Sequence, residues 1–280
     1  MLNKLEILEH ARKYNLPANT IEKDYILNWI LAGISSSAQL KDTWIFKGGT
    51  CLKKCYFEEY RFSEDLDFTI TESSHINASF LINKFTDISE WIYENSGIEV
   101  PVTSMKFEEV VNPRGNISIA GKLAYKGPMQ RRGNNPTIKL DLSCDEIIIE
   151  PSVLKPIYHP YSDFRSEIFS INTYSLEEIF AEKLRALTQR MSPRDLYDVI
   201  HLHNDSRWSL NKETVLTILE KKCDFKSVQV PTMSILNDSS NKNDLIADWD
   251  DMLAHQIAGL EPYEYYWNRL PLLFKWLQNS

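Results

Sequence analysis

Two aspartates separated by one residue, Asp65 and Asp67, have the spacing in this sequence that most clearly suggests chemistry. They alternate with Leu66, Phe68 and Ile70, the period of a half-buried β-strand, so both carboxylates project from one face. Carboxylates about 5 to 6 Å apart repel by roughly 3 kcal/mol at an effective dielectric constant near 20, which favours a cation between them. Mg²⁺, which combines one or two protein carboxylates with substrate phosphates, is the expected ion. A solvated strand face without an ion is the alternative.

A glycine pair comes shortly before these aspartates. Lys47-Gly48-Gly49-Thr50 lies between a predicted strand and a predicted helix, where bare backbone N–H groups can hold a phosphate. The spacing fits neither G-x4-G-K-[ST] nor G-x-G-x-x-G. The alternative is a tight turn that binds nothing.

A third acid and a lysine extend this set. Asp141 lies on the polar side of a strand predicted over 138–143. If that strand neighbours the Asp65 strand, three carboxylates converge at one edge of the sheet, as in a two-metal phosphoryl-transfer site. Lys183 falls inside the apolar stripe of a helix predicted over 176–189, where a buried ammonium needs a partner. It is interpreted either as a snorkelling side chain or as a phosphate ligand.

The helix after Lys183 begins with Ser192-Pro193-Arg194-Asp195. Ser as cap, Pro at the first position and an acid at the third form the pattern of a capping box, with Asp in place of Glu. Asp195 therefore has a structural explanation. Asp198, one turn further, is expected to pair with Arg194.

Apolar spacing predicts the elements that position these residues. Helices are expected over 2–14, 19–37 and 75–95, three strands within 98–148, and helices from 176 onward. The fold class is α/β (α+β): an α/β part over residues 1–170 followed by a helical part over 171–280, which we expect to pack together.

Bulk properties limit the function. Over 280 residues the net charge is −8, which argues against nonspecific coating of nucleic acid or anionic lipid. The longest apolar run, 25–34, is well short of the roughly 20 residues that span a bilayer, and no signal peptide pattern begins the sequence. We expect a cytoplasmic protein with free thiols. Cys51 and Cys55 are four residues apart, but nothing nearby completes four zinc ligands.

Six segments, taken in order, resemble the AbiEii/AbiGii family of nucleotidyltransferase-like toxins from abortive-infection and toxin–antitoxin operons. They are EKDY at 22–25, FKGGTCLKK at 46–54, RFSEDLDF at 61–68, the strand 138–143, EEIFAEKLRAL at 177–187 and SPRDLYDVIHL at 192–202.

The resemblance implies a polymerase-β-like nucleotidyltransferase core with a mixed sheet and a helical C-terminal part. It also implies site residues of three kinds: phosphate or nucleotide contacts, ligands of Mg²⁺ or Mn²⁺, and an acid of the later motif. These are, in turn, Gly48, Gly49, Thr50, Ser63 and Lys183; Asp65, Asp67 and Asp141; and Asp195.

The activity implied is transfer of an NMP from an NTP to an RNA, with a tRNA 3′ end as the expected acceptor. From Val110 to Leu140 the chain has no Asp or Glu, so basic residues there are the candidate RNA contacts: Lys122, Lys126, Arg131 and Arg132. A solvated basic hairpin, or a docking surface for an acidic cognate antitoxin, explains them equally well.

Three alternatives stay open for the activity. The first is an NTP-binding toxin–antitoxin protein without RNA transfer, and the second is an enzyme that modifies a protein. The third is a metal-dependent nuclease built on Asp65, Asp141 and Lys139, although that strand lacks the second acid usual for such chemistry.

Overall fold

One mixed β-sheet organises the first half of the chain. The structure, a computed structural model, describes residues 1–112, 115–131, 133–163, 168–205, 207 and 209–278. Within these ranges the sheet has seven strands: β1 (Trp44–Lys47), β2 (Asp65–Ile70), β3 (Lys106–Val111), β4 (Ile117–Ala124), β5 (Thr137–Ser143), β6 (Val153–Pro156) and β7 (Ser170–Thr173). Their order is β3-β4-β5-β2-β1-β7-β6, which makes β2 the central strand.

The three strands predicted within 98–148 are confirmed as β3, β4 and β5. β2 pairs in parallel with β5, and β1 pairs in parallel with β7, while the other neighbours are antiparallel. β6 and β7 were not predicted. Each has only four residues, VLKP and SINT, and neither contains an apolar run like the WIF that begins β1.

Apolar side chains cover one face of this sheet. The helices around it are α1 (Lys4–Tyr14), α2 (Ala18–Ser36), α3 (Gly48–Cys51) and α4 (Ala78–Ser96). Phe85 of α4 contacts the sheet through Trp44 and Phe107, with ring centroids 6.1 and 5.3 Å away. Leu66 and Leu140 are buried on the same face. The opposite face is therefore left to the polar residues that alternate with them.

The chain forms two compact units. The first comprises residues 1–146 and 152–173, and the second comprises 147–151 and 174–280. The predicted helices of the second unit are confirmed as α5 (Leu176–Arg190), α6 (Pro193–Asn204), α7 (Lys212–Lys226), α8 (Met233–Asn237), α9 (Lys242–Ala247), α10 (Trp249–Leu253), α11 (Tyr263–Trp267) and α12 (Leu270–Gln278). Among the described helices, none is both long and apolar enough to cross a membrane.

A buried ion pair ties the segment 147–151 into the second unit. Lys222 Nζ of α7 lies 2.8 Å from Glu178 Oε1 of α5, and both side chains are almost fully buried. Lys222 also donates to the carbonyl of Ile147, while Glu178 accepts from the backbone N–H groups of Ile149 and Glu150. The pair therefore provides hydrogen-bond partners for backbone groups of the half-buried residues Ile147, Ile149 and Glu150.

Replacing Lys222 by Met is expected to destabilise the protein by about 3 kcal/mol, because Glu178 would keep a buried charge without its ammonium. Urea unfolding at pH 7 measures the change. Lys221→Met is the matched control, since Lys221 is the neighbouring lysine and is exposed, so its loss should change stability by less than about 0.5 kcal/mol. Equal unfolding midpoints for the two variants would contradict the role given to Lys222.

Candidate active site

The three predicted acids lie on the polar face of β2 and β5. Parallel pairing sets Asp67 beside Asp141, and Asp65 beside Lys139. Asp65 and Asp67 are half-buried, whereas Asp141 is exposed. The predicted adjacency of the two strands is confirmed. The expected position at an edge of the sheet is wrong, because β1, β7 and β6 continue the sheet beyond β2.

A cavity of about 260 Å³ lies over this face. In the part of the chain that the structure describes, no three His, Cys, Asp or Glu side chains are grouped closely enough to hold a metal ion. Asp67 and Asp141 nevertheless offer neighbouring hard oxygen donors, which fits an ion that takes one or two protein carboxylates and completes its shell with phosphates. The three-carboxylate metal site stays a prediction. The cavity is lined by Asp65, Asp67, Val110, Ser118, Ala120, Gly121, Lys122, Lys139, Leu140 and Asp141.

Gly48, the first residue of α3, lies against the carboxylate of Asp67. Its φ of +80° is in the left-handed region, which strains any residue with a side chain. A Cβ atom added there would also collide with Asp67 Oδ2. Glycine is therefore needed at position 48 for two reasons: the positive φ of the turn after β1 and the close approach of Asp67.

Gly49 makes room for a second polar group. A Cβ atom at Gly49 would overlap the guanidinium of Arg61 and lie 3.2 Å from the hydroxyl of Ser63. Arg61 is buried, and one of its N–H groups donates to the carbonyl of Phe62. No role for Arg61 was predicted from its local sequence. The absence of a side chain at Gly49 is what makes room for Arg61, but this is visible only once folding brings the two residues together.

Thr50 is buried, and its hydroxyl donates to the backbone carbonyl of Asp65. The hydroxyl thus fixes the start of β2 rather than facing the cavity. The helix predicted at the glycine pair is short: it begins at Gly48, ends at Cys51 and is followed by a π-helical turn over Leu52–Tyr56.

The segment EKDY of α2 is held to the residues around the site. Lys23 forms an ion pair with Glu64, next to Asp65. Asp24 pairs with Lys54 at 2.6 Å, with both side chains almost fully buried. The hydroxyl of Tyr161 donates to Asp24 over 2.7 Å. The motif therefore fixes the position of the segment 48–64 relative to α2.

In the second unit, Lys183 lies on the apolar stripe of α5 as predicted and has two carboxylate partners. Its Nζ atom is 3.0 Å from Asp195 Oδ1 and 2.9 Å from Asp198 Oδ2, and both aspartates are fully buried. Arg190 makes two further hydrogen bonds to Asp195. Burial alone would raise the pKa of Asp195, but Lys183 and Arg190 bring that pKa below its ordinary value.

This cluster corrects the interpretation of the α6 start. Pro193 is the first residue of α6 as expected, but the side chain of Ser192 makes no capping hydrogen bond. Asp195 is explained by its ion pairs instead, and Asp198 pairs with Lys183.

The candidate RNA contacts lie at different places. Lys122 is exposed and lines the cavity beside the acids. Lys126 pairs with Glu99 at 2.6 Å, and Arg131 lies 3.4 Å from Glu22 on a second cavity of about 330 Å³. Arg132 lies outside the described residues.

Comparison with known proteins gives a family match and two similar folds. The model of the family described as Nucleotidyl transferase AbiEii toxin, Type IV TA system, matches residues 29–273. MenT4, a nucleotidyltransferase toxin from Mycobacterium tuberculosis H37Rv, is similar over 100% of this chain and 91% of its own, with 18% identity and a TM-score of 0.67. JHP933 from Helicobacter pylori is similar over 94% and 95%, with 18% identity and a TM-score of 0.55. No curated protein sequence matches. The expected nucleotidyltransferase fold is confirmed.

Gly48→Ala is expected to displace Asp67 and weaken Mn²⁺ binding, measured by calorimetry in the presence of NTP, besides reducing stability. Gly115→Ala is the matched control, because Gly115 has a similar φ of +83° but, in the described part of the chain, no atom within 4 Å of an added Cβ. Both variants should lose about 1 kcal/mol of stability from the backbone. Unchanged Mn²⁺ binding in Gly48→Ala would show that the contact with Asp67 does not matter.

Asp195→Asn is expected to lower stability by about 3 kcal/mol at neutral pH, since it breaks a buried ion cluster. The pKa of Asp195 is lower in the folded protein, so its contribution is present above its unfolded pKa of about 3.9 and is lost as pH falls through the folded value. The stability gap between wild type and variant should therefore shrink below about pH 4.

Urea unfolding from pH 7 to pH 3 tests this dependence on Asp195. Asp224→Asn, at an exposed position of α7, is the control and should track wild type throughout. A gap that stays constant with pH would contradict the role of the carboxylate charge.

Proposed function

The chain belongs to the AbiEii family of nucleotidyltransferase toxins of type IV toxin–antitoxin systems, and we propose that it transfers an NMP from an NTP to the 3′ end of an RNA, with tRNA as the preferred acceptor. The observation that carries the proposal is the pairing of Asp67 with Asp141 beside the glycine turn at Gly48. Carboxylates on neighbouring strands beside the backbone N–H groups of a glycine turn suit phosphoryl transfer from a metal-bound NTP.

The proposed cofactor is Mg²⁺, or Mn²⁺, held by Asp65 and Asp67 with Asp141 as a third ligand. When bound, the ion neutralises charge on the triphosphate and polarises the attacking oxygen. The chemistry of the carboxylate donors supports this cofactor, because a cation bound between neighbouring carboxylates offsets their mutual repulsion.

The proposed triphosphate contacts are the backbone N–H groups of Gly48 and Gly49 and the hydroxyl of Ser63. The first N–H groups of a helix have no acceptor within the helix, which suits them to phosphate oxygens. The side chain of Thr50 is engaged with the carbonyl of Asp65, so Thr50 contributes through its backbone and by fixing Asp65. Arg61, which lies against Gly49 and Ser63, fixes this turn.

In the proposed reaction, the terminal 3′ oxygen of the acceptor forms a bond to the α-phosphorus of the NTP. The bond from that phosphorus to the oxygen bridging to the β-phosphate breaks, and pyrophosphate leaves with the electron pair. Asp141 takes the proton of the 3′-hydroxyl, a role that suits the most exposed of the three carboxylates.

Lys183 and Asp195 enter the proposal through the family motifs that contain them. We propose that Lys183 contacts a nucleotide phosphate and that Asp195, together with Asp198, fixes its ammonium. The two carboxylates within 3.0 Å of Nζ support this, because they hold the ammonium in one position.

The partners follow from the family. A type IV toxin implies a cognate antitoxin, and an NTP-dependent transferase implies NTP as its substrate. We propose that the protein acts in the cytoplasm, where NTPs and RNA are both available.

Asp67→Asn is expected to lower NMP transfer by about 100-fold or more while leaving the fold intact, because it removes a metal-binding charge without changing shape. The measurement incubates purified protein with each α-labelled NTP, Mg²⁺ and total RNA, and sizes the labelled product. Asp87→Asn is the control, since Asp87 is an exposed aspartate of α4.

Each alternative gives a different product in this assay. Transfer that persists in Asp67→Asn would contradict the metal assignment. Label in protein would indicate a protein acceptor, shortened RNA would indicate a nuclease, and NTP binding without any labelled product would indicate a binding protein.

A further inference from the structure

Three lysines form one row across the sheet and end beside Asp65. Lys106 of β3 lies opposite Lys122 of β4, and Lys122 lies opposite Lys139 of β5. Lys139 in turn pairs in register with Asp65 of β2. Because neighbouring strands are about 4.8 Å apart, the three lysines span roughly 10 Å. We call Lys106, Lys122 and Lys139 the lysine row.

The lysine row has no structural partner among the described residues. All three residues are exposed. Across the described ranges of the chain, none of the three makes an ion pair or a side-chain hydrogen bond, whereas Lys23 and Lys126 each pair with a glutamate. Like charges directly opposite each other on a sheet are destabilising. Lys139 has an acid opposite it, Asp65, but folding gives no reason for Lys106 and Lys122 to be neighbours, and a polyanionic ligand would.

The surface beside the lysine row is open to such a ligand. Next to Lys122 on β4, the small residues Ser118 and Ala120 line the cavity that also contains the acids. Its volume of about 260 Å³ is below the roughly 300 to 1,000 Å³ of typical ligand pockets. It suits the reacting end of a chain that continues over the surface, rather than a whole ligand.

We propose that the lysine row binds the phosphodiester backbone of the single-stranded RNA end and leads its terminal hydroxyl to Asp65, Asp67 and Asp141. This inference rests on the proposed transfer to RNA. Phosphates along the row would be neutralised by the ammonium groups, which is the main source of affinity for a nucleic acid backbone. Basic side chains that track a backbone toward the reacting group are typical of single-strand binding.

The strand order separates this surface from the proposed NTP site. The glycine turn follows β1, on one side of β2, whereas the lysine row runs over β5, β4 and β3 on the other side. The two phosphate-binding features are therefore on opposite sides of the acids. That arrangement suits an NTP on one side and the acceptor strand on the other, since the reaction joins them at the α-phosphate.

The test replaces all three lysines by Gln, as Lys106→Gln, Lys122→Gln and Lys139→Gln in one protein. Binding of a short fluorescent single-stranded RNA is measured by anisotropy in Mg²⁺ without NTP, over a range of NaCl concentrations. The variant is expected to bind RNA about tenfold or more weakly. Its affinity should also depend less on salt, so that the negative slope of log affinity against log salt becomes shallower by about 2. In transfer assays Lys106→Gln alone, which lies outside the cavity that contains the acids, should raise the KM for RNA with little change in kcat. Lys4→Gln, Lys41→Gln and Lys84→Gln, combined in one protein, are the charge-matched control and should bind RNA like wild type.

Three results would overturn the inference. In the first, the RNA affinity and salt slope of the variant equal those of wild type. In the second, the variant loses NTP binding instead of RNA binding. In the third, the variant loses only the binding of polyglutamate, which stands in for an acidic antitoxin. Binding is measured without NTP, so it does not depend on catalysis. If wild type binds RNA through the lysine row but transfers no NMP to it, the proposed function fails while the binding surface stands.

Discussion

Repulsion between neighbouring carboxylates on β2 and β5 is the interaction on which the candidate site depends. Asp67 and Asp141 are in register on adjacent strands, about 5 Å apart, where their charges repel by roughly 3 kcal/mol at an effective dielectric constant near 20. The surrounding residues reduce this cost. Lys47 lies opposite Asp67 on β1, and Lys139 lies opposite Asp65 on β5, so basic residues are next to the acids on both sides. The missing side chain at Gly48 gives Asp67 its position.

Local patterns were sufficient to predict the parts of the site that lie within one element. The alternation around Asp65 and Asp67 predicted a strand with both acids on one face, and helical spacing placed Lys183 on a buried stripe. The order of strands in the sheet could not be predicted from local patterns. That β5 lies beside β2 is a pairing across about 70 residues, and it was predicted only as a condition for three acids to meet.

Contacts between distant segments account for what the sequence analysis missed or misread. Thr50 stays a predicted phosphate contact, but the bond from its hydroxyl to the carbonyl of Asp65, fifteen residues away, could not be read from the local pattern. Asp195 looked like a capping acid, whereas a lysine on the preceding helix and an arginine at the end of that helix determine its environment. The segment EKDY was noticed only through the family resemblance, because Asp24 finds its partner Lys54 thirty residues later. A helical wheel cannot show such pairs, since each depends on tertiary packing.

The five residues 147–151 have a consequence for how this chain can be divided or recombined. The chain leaves the first unit after residue 146, contributes this segment to the second, and returns at residue 152. A fragment ending at residue 173 would keep the segment but lose Glu178 and Lys222, and a fragment starting at 174 would keep those side chains without the backbone they hold. Neither unit is continuous in sequence, so a single genetic crossover cannot exchange one of them intact. An exchange of the second unit must therefore also carry the segment 147–151.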